Sequence, residues 1–391
     1  MRTCLVGHSA EGLLSASAGG SERQIALLAR GLARRGHDVA LVVTGLAGGD
    51  RVVDGVRVVS AWHPDSGVRF LRAVTHRYPR LYRLLVTERA DVYYARGAGY
   101  YTPFVVRAAH AAGAPCVLGL ASDRDLEPSS GPFLFGVGGR RLSALVGPPA
   151  HAWFRRWGLR AADLIAVQNA EQAASCTSLG LPHAVLPNIV EPPGPRLIDC
   201  QPTRDVIWAG NVFAGRRSKG LDELAALAAL VPDTTFTVAG TLASEAHRAT
   251  VDRLRALRNV AVVGPLAHDD LQQAIAGHRL VVNTSPSEGF SNVMLEGWAL
   301  GRPSVTLAVN PNGLLDGDRL GVCAQGDLVA MAAAIIALLE DRAVREAMGS
   351  RARAYVRETH APERVCATFE RLTGDLRGAG RRGTSSPQAT P

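Results

Sequence analysis

Hydrophobic and polar positions at the start of the chain spell strand, glycine loop, helix, strand. An apolar run from Cys4 to Gly7 leads through Gly12 and the pair Gly19-Gly20 into Ser21-Glu22-Arg23-Gln24, a sequence suited to open a helix. Ile25, Leu28, Ala29 and Leu32 then recur at helical spacing until Gly36 ends the helix, and Asp38 to Val43 reads as the next strand. Such a unit begins a doubly wound parallel sheet. Strand-like runs follow at Val56 to Ser60, Asp91 to Ala95, Pro115 to Leu120 and Asp163 to Val167, alternating with helical patterns over Arg69 to Glu88 and Ala170 to Leu179.

Pro187 to Pro195 carries four prolines in nine positions, too many for a helix or sheet interior, and reads as an interdomain hinge. A second alternation starts beyond it. Strands are predicted at Asp205 to Ala209, Thr235 to Ala239, Val260 to Val263, Leu280 to Asn283 and Ser304 to Leu307. Helices are predicted at Leu221 to Leu230, Glu245 to Leu257, Asp269 to Ala276, Val293 to Leu300, Leu328 to Leu339 and Ala343 to Glu358. The chain is therefore expected to be α/β, with one doubly wound domain over 1–186, a hinge over 187–203 and a second such domain over 204–358. A C-terminal helix over 359–376, with a return to the first domain open to it, and a disordered tail over 377–391 complete the expectation. Two such domains commonly bind a ligand in the cleft between the carboxyl ends of their sheets.

Composition narrows the choice. With 391 residues, 47% apolar and 20% charged, the chain is globular, and no apolar stretch is long enough for a membrane span. The N-terminus lacks a signal-peptide pattern, which points to the cytoplasm. Six scattered cysteines show neither CxxC nor zinc spacing and read as reduced, mostly buried small hydrophobes. The net charge of +8 suits a phosphorylated small molecule, nucleic acid or an anionic membrane, but aromatics are only 5% and no basic tract is interleaved with them, which argues against nucleic acid. Of the 43 basic residues 42 are arginine, and Lys219 is the one lysine. An ammonium is a compact point charge that fits against one phosphate oxygen where a planar guanidinium does not.

The most informative segment is Ser285-Pro286-Ser287-Glu288-Gly289-Phe290-Ser291-Asn292-Val293-Met294-Leu295-Glu296, continuing to Leu300-Gly301-Arg302-Pro303. It follows a strand and opens a helix, so first-turn N–H groups can face an anionic or polyhydroxylated ligand, and two carboxylates can grip two sugars. The residues alone are equally compatible with a surface helix bearing two solvated glutamates. In pattern and spacing, however, the segment closely resembles the family 4 glycosyltransferases of the GT-B fold, which transfer a sugar from a nucleoside diphosphate with retention. The opening Gly19-Gly20-Ser21-Glu22-Arg23-Gln24 with Arg35 to Val39, Ala162 to Gln168 and Leu186-Pro187-Asn188 are similar to that family too. The likeness extends to about residue 373.

The resemblance implies two Rossmann-like domains facing each other across a cleft, with Glu288 near the donor sugar and Glu296 on the ribose. It places Gly19, Gly20, Leu266, Gly289, Phe290, Ser291 and Asn292 around the nucleotide sugar, and Lys219 with an arginine on the diphosphate. That arginine is replaced by Asn211 here, and Arg216 or Arg217 is open as its substitute. Asp123 ends the strand where many relatives carry His-Asp, close to the transferred sugar, with Ser122 in place of the histidine. Gly210 to Arg217 lacks the lysine and hydroxyl of a P-loop. Asp123-Arg124-Asp125 and Asp316-Gly317-Asp318 match a short metal motif, but protein cations are expected to serve the diphosphate, with neither metal nor cofactor.

The implied reaction is retaining transfer of a hexose-type sugar from a nucleoside diphosphate sugar such as a UDP or GDP sugar to a hydroxyl acceptor, in polysaccharide or other glycoconjugate synthesis. Three alternatives stay open: a non-catalytic nucleotide-sugar-binding protein, a transferase for small natural products, and an epimerase. Phe133 to Trp157 sets Arg140, Arg141, Arg155 and Arg156 beside Phe133, Phe135, Trp153, Phe154 and Trp157. This is either a packed helix with a basic solvent face or a surface that visits the inner membrane face for a lipid-linked acceptor.

Overall fold

The computed structural model describes all residues apart from 15–18, 45–48, 64–65, 68–72, 100, 127–152, 214–218, 244, 317–318 and 384–391. It divides into two compact units, Met1–Ile189 with Pro362–Pro391, and Val190–Ala361, so the second is inserted within the first along the chain. Unit 1 contains β1 (Arg2–Gly7), α1 (Glu11–Leu14), α2 (Gly20–Arg34), β2 (Asp38–Val43), β3 (Arg51–Val53), β4 (Val56–Ser60), α3 (Tyr78–Glu88), β5 (Val92–Arg96), α4 (Thr102–Ala111) and β6 (Cys116–Gly119). A helix over 153–161 (α5), β7 (Leu164–Val167), α6 (Ala170–Ser178) and β8 (His183–Val185) follow.

The eight strands lie in the order β3-β4-β2-β1-β5-β6-β7-β8, parallel throughout except for the antiparallel pair β3–β4. Parallel strands covered on both faces are apolar at successive positions. Accordingly Cys4 and Val6 join one layer with Leu81 and Leu85 of α3 and Val105 and Val106 of α4. Leu5 joins the other with Ile25, Leu28 and Leu32 of α2. The helical pattern over Arg69 to Glu88 resolves differently from expectation: Ala73–Arg77 form a π turn and regular helix begins at Tyr78. Pro79 lacks an N–H and is tolerated only in a first helical turn. Burial pushes the thiols of Cys176 and Cys366 up to about 11, so neither is reactive at neutral pH.

Unit 2 contains α7 (Pro195–Ile198), β9 (Arg204–Ala209), β10 (Val212–Phe213), α8 (Leu221–Leu230), β11 (Phe236–Ala239), β12 (Leu242–Ala243), α9 (Arg248–Ala256), β13 (Val260–Gly264) and α10 (His268–Ala276). It continues with β14 (His278–Asn283), α11 (Asn292–Ala299), β15 (Ser304–Thr306), β16 (Gly321–Cys323), α12 (Leu328–Glu340) and α13 (Arg342–Thr359). Its all-parallel sheet runs β13-β11-β9-β14-β15-β16, and β10 pairs with β12 beside it. Counted within the unit this is the 3-2-1-4-5-6 order of a dinucleotide-binding sheet, with the order reversing between β9 and β14.

The stretch 187–203, expected as a hinge, is anchored over its first residues. The Gln24 amide accepts from the Ile189 N–H at 2.7 Å and donates to its carbonyl at 2.9 Å, replacing the partners a sheet would give. Val190 N–H donates to the His360 carbonyl, and Pro195–Ile198 form a helical turn.

The last helix, α14 (Pro362–Gly383), packs in unit 1 with Val365, Cys366 and Phe369 in the layer of α2. A Cβ on Gly31 of α2 would lie 2.5 Å from Cys366 Sγ, so glycine at that position allows the approach. The helix reaches past residue 376, where disorder was expected, and Arg377 pairs with Asp91 at 3.2 Å. Glu370 is gripped by Arg35 through two bonds of 2.7 and 2.6 Å and by His37 at 2.7 Å. The Arg35 hydrogen bond, with help from His37, holds its carboxyl at about 2. A lowered carboxylate stabilises the fold fully above the ordinary glutamate value of 4.5 and loses that contribution as pH falls toward 2. Glu370→Gln is therefore expected to lower the thermal midpoint at pH 7 by about 2–4 °C. The gap to wild type should narrow as pH falls below 4.5, and a gap independent of pH would contradict the clamp.

Candidate active site

The carboxyl ends of β9 and β14 are adjacent at the switch point of the second sheet, and the chain leaves them in opposite directions. Such a divergence opens a crevice where ligands of doubly wound sheets bind. Ala209, Lys219, Asn283, Ser285, Glu288 and Ser291 line it.

One chain of hydrogen bonds shapes this crevice. The buried Trp208 indole, near the end of β9, donates to Thr284 Oγ1 at 3.0 Å. Thr284 Oγ1 donates in turn to the carbonyl of Lys219 at 3.2 Å. Lys219 and Gly220 both take left-handed conformations, with φ of +53° and +72°, and turn the chain into α8. A Cβ on Gly220 would overlap the Thr284 carbonyl, so the turn is pressed directly onto the end of β14.

The lysine side chain held this way meets a carboxylate. Lys219 Nζ lies 3.1 Å from Glu288 Oε1, which also accepts from Ser285 Oγ at 2.8 Å. Lys219 keeps 39% of its side-chain surface exposed and Glu288 18%, so the pair sits at the crevice mouth. An ammonium has three N–H donors, and a ligand oxygen can bind it without breaking the Glu288 contact. Ser291 caps α11, its hydroxyl accepting from Met294 N–H at 3.5 Å, and the positive end of the helix dipole adds to the lysine charge.

The remaining sequence-identified residues separate into two groups. Glu296, on the second turn of α11, is buried, and its Oε1 lies 3.9 Å from His268 Nδ1 at the start of α10. Leu266 is half-buried two residues ahead of that histidine. Gly289 and Asn292 flank the cap, and the Phe290 ring is buried against Trp298 and His360. Asn211 supports the fold itself, since its Oδ1 accepts from Thr241 N–H at 2.8 Å and ties the loops after β9 and β11 together. Arg216 and Arg217 lie outside the described residues.

In unit 1, Gly19 is the N-cap of α2 and Gly20 its first residue, one position earlier than the sequence suggested. A Cβ on Gly19 would lie 2.6 Å from Glu22 Oε2, which places a carboxylate at this helix end. Asp123 accepts from Gln172 Nε2 at 2.9 Å. Asp125 accepts from the N–H groups of Ala121 and Ser122 at 2.6 and 3.2 Å, and burial raises its pKa. Asp125 thus holds the turn after β6, and Asp123 links that turn to α6. Among the described residues no group of three His, Cys, Asp or Glu side chains could hold a metal ion, and no helix is long and apolar enough to cross a membrane. Trp208, Thr284, Ser285 and His268 escaped the sequence reading. Only the position of Ser285 inside the Glu288 segment offered a signal.

Residues 19–188 match the glycosyl transferase 4-like domain, and residues 203–341 match the glycosyl transferases group 1 domain. The chain belongs to the family 4 type of glycosyltransferases and has the GT-B fold. Sucrose-phosphate synthase from Thermosynechococcus elongatus is similar over 97% of this chain and 99% of its own, with a TM-score of 0.72 and 17% identity. Anabaena HepE, solved in complex with UDP, is similar over 96% and 100%, with a TM-score of 0.65 and 16% identity. N-acetyl-alpha-D-glucosaminyl L-malate synthase of Bacillus anthracis is 31% identical over 110 residues, 28% of this chain and 29% of that protein.

The Thr284 contact offers a way to probe how the site is built. Gly220→Ala adds both backbone strain and overlap, and is expected to cost about 2 kcal/mol or more in denaturant unfolding. Gly313, with φ of +68° and nothing within 4 Å of a built Cβ, supplies the control. Gly313→Ala should cost only the backbone part, about 1 kcal/mol. Equal losses would show that the turn is not pressed against β14.

Proposed function

We propose that this glycosyltransferase is a retaining, metal-independent hexosyltransferase that uses a nucleoside diphosphate sugar and a hydroxyl acceptor. The observation that carries the reading is the Lys219 ammonium, held beside Glu288 at the head of α11 by the Trp208–Thr284 chain. When the bond between the anomeric carbon and the diphosphate oxygen breaks, its electron pair stays on the diphosphate. A fixed cation and a helix N-terminus at that point stabilise the growing charge without reorganisation. The acceptor oxygen bonds to the anomeric carbon on the same face, and its proton passes to the departing diphosphate oxygen. Glu288 binds donor hydroxyls, Glu296 binds the ribose, and Arg216 or Arg217 completes the diphosphate contacts. UDP bound in Anabaena HepE makes UDP sugars the first donors to try.

Lys219→Ala is expected to lower turnover by about 100-fold or more, the cost of removing one preorganised charge from a developing anion. In the same assay wild-type transfer should survive excess EDTA, and proton NMR of the first product should show the donor's anomeric configuration. An inverted product, or near-normal turnover in Lys219→Ala, would overturn the mechanism.

A lipid-linked acceptor reached by peripheral contact with the inner membrane face is supported by α5. Trp153 and Trp157 are 60% and 38% exposed one helical turn apart, and Arg156 and Arg160 are exposed beside them. Indole and guanidinium groups on one face suit an anionic interface. Binding to phosphatidylglycerol vesicles should fall at least tenfold in a Trp153→Ala/Trp157→Ala variant, and unchanged sedimentation would exclude this contact.

A further inference from the structure

Unit 1 has a cavity of about 450 Å³, open to solvent, that shares no residue with the switch-point crevice of unit 2. Its wall comes from the outer face of α3, the π turn before it and the segment after β4. Tyr78, Leu81 and Leu85 turn into the core, which leaves His76, Arg80, Arg83 and Thr87 at successive three- and four-residue steps on the outside. These four line the cavity together with Thr75 and Trp62, and no aspartate or glutamate stands among the described lining residues.

The charged side chains among the described lining residues are basic. Like charges one helical turn apart repel by a few tenths of a kcal/mol. Neither Arg80 nor Arg83 forms an ion pair among the described residues. Glu88, the carboxylate at the end of the same helix, is engaged by Arg57 at 2.7 Å. Behind the wall the Arg77 guanidinium sits over the Trp62 ring, 5.7 Å from its centroid, and adds another positive charge.

His76 is fixed as well. Its Nδ1 meets Thr75 Oγ1 at 2.7 Å, and a Cβ on Gly67, whose φ is +99°, would lie 2.9 Å from its ring. The wall therefore combines two guanidinium forks, a fixed imidazole, the Thr75 and Thr87 hydroxyls and an apolar side of Trp62, Pro79 and Leu84. Forks bind phosphate or carboxylate oxygens, hydroxyls exchange hydrogen bonds with sugar hydroxyls, and an apolar side accepts the carbon face of a pyranose. The volume lies in the range of small-ligand sites.

We propose that this cavity is a second saccharide site, taking an anionic sugar whose phosphate or carboxylate binds Arg80 and Arg83 with His76. Its lining shares no residue with the unit 2 crevice of the proposed transfer mechanism, so the site stands or falls apart from that mechanism. Calorimetry of the full chain with glucose 6-phosphate, glucuronate, glucose and inorganic phosphate tests it, using Arg80→Ala/Arg83→Ala, exposed positions where truncation spares the core. Glucose 6-phosphate, glucuronate or both should bind wild type with a millimolar or tighter Kd. The double variant should lose at least tenfold, and Arg80→Lys/Arg83→Lys should recover part. Affinity for neither anionic sugar, or equal affinity in the alanine variant, would overturn the proposal. Inorganic phosphate binding as tightly as glucose 6-phosphate would remove its saccharide part. Titrating UDP and GDP into the same proteins reports on the donor reading separately, and the alanine variant should leave those affinities unchanged.

Discussion

The contact of the Lys219-Gly220 turn with Thr284 is the constraint from which the switch-point crevice follows. It joins the loop leaving β9 to the strand end of β14, 65 positions later in sequence, through the Thr284 hydroxyl and through contact at Gly220. With it the ammonium is referred to the sheet, the most rigid part of the unit. Trp208 extends the same reference into the core, because its indole would be an unsatisfied buried donor if Thr284 moved.

Polar chemistry in unit 2 lies in two places. Lys219, Ser285, Glu288 and the Ser291 cap of α11 line the crevice, and Glu296 with His268 lies further along α11 toward α10. Glu288 and Glu296 thus have different neighbours, one a cation and a hydroxyl, the other an imidazole. That difference is the physical basis for giving them separate duties.

Much of the fold was legible because period and length agree with burial. Leu221–Leu230 was read to the residue, and most other strands and helices fell within a few positions. The short edge strands β3 and β8 were missed because they offer little alternation to read, and α4 because Phe104-Val105-Val106 is as suited to a strand as to a helix. The site was legible where residue type was distinctive: a lone lysine, and two glutamates framing a helix start. Thr284 and Trp208 were invisible, since their role depends on a contact 65 to 76 positions away that leaves no local pattern. The bond that Asn211 Oδ1 accepts from Thr241 N–H, 30 positions away, was hidden in the same way.

The position of α14 bears on how the chain is made. Val190–Ala361 is synthesised as one uninterrupted segment, so unit 2 has every one of its strands and helices before the final helix is translated. Unit 1 has its eight strands far earlier yet lacks the helix that covers part of the α2 face, leaving the contact sites of Val365, Cys366 and Phe369 open to solvent. During synthesis the N-terminal unit is therefore the last to be completed, and its apolar face stays bare for the whole time the inserted unit takes to emerge from the ribosome.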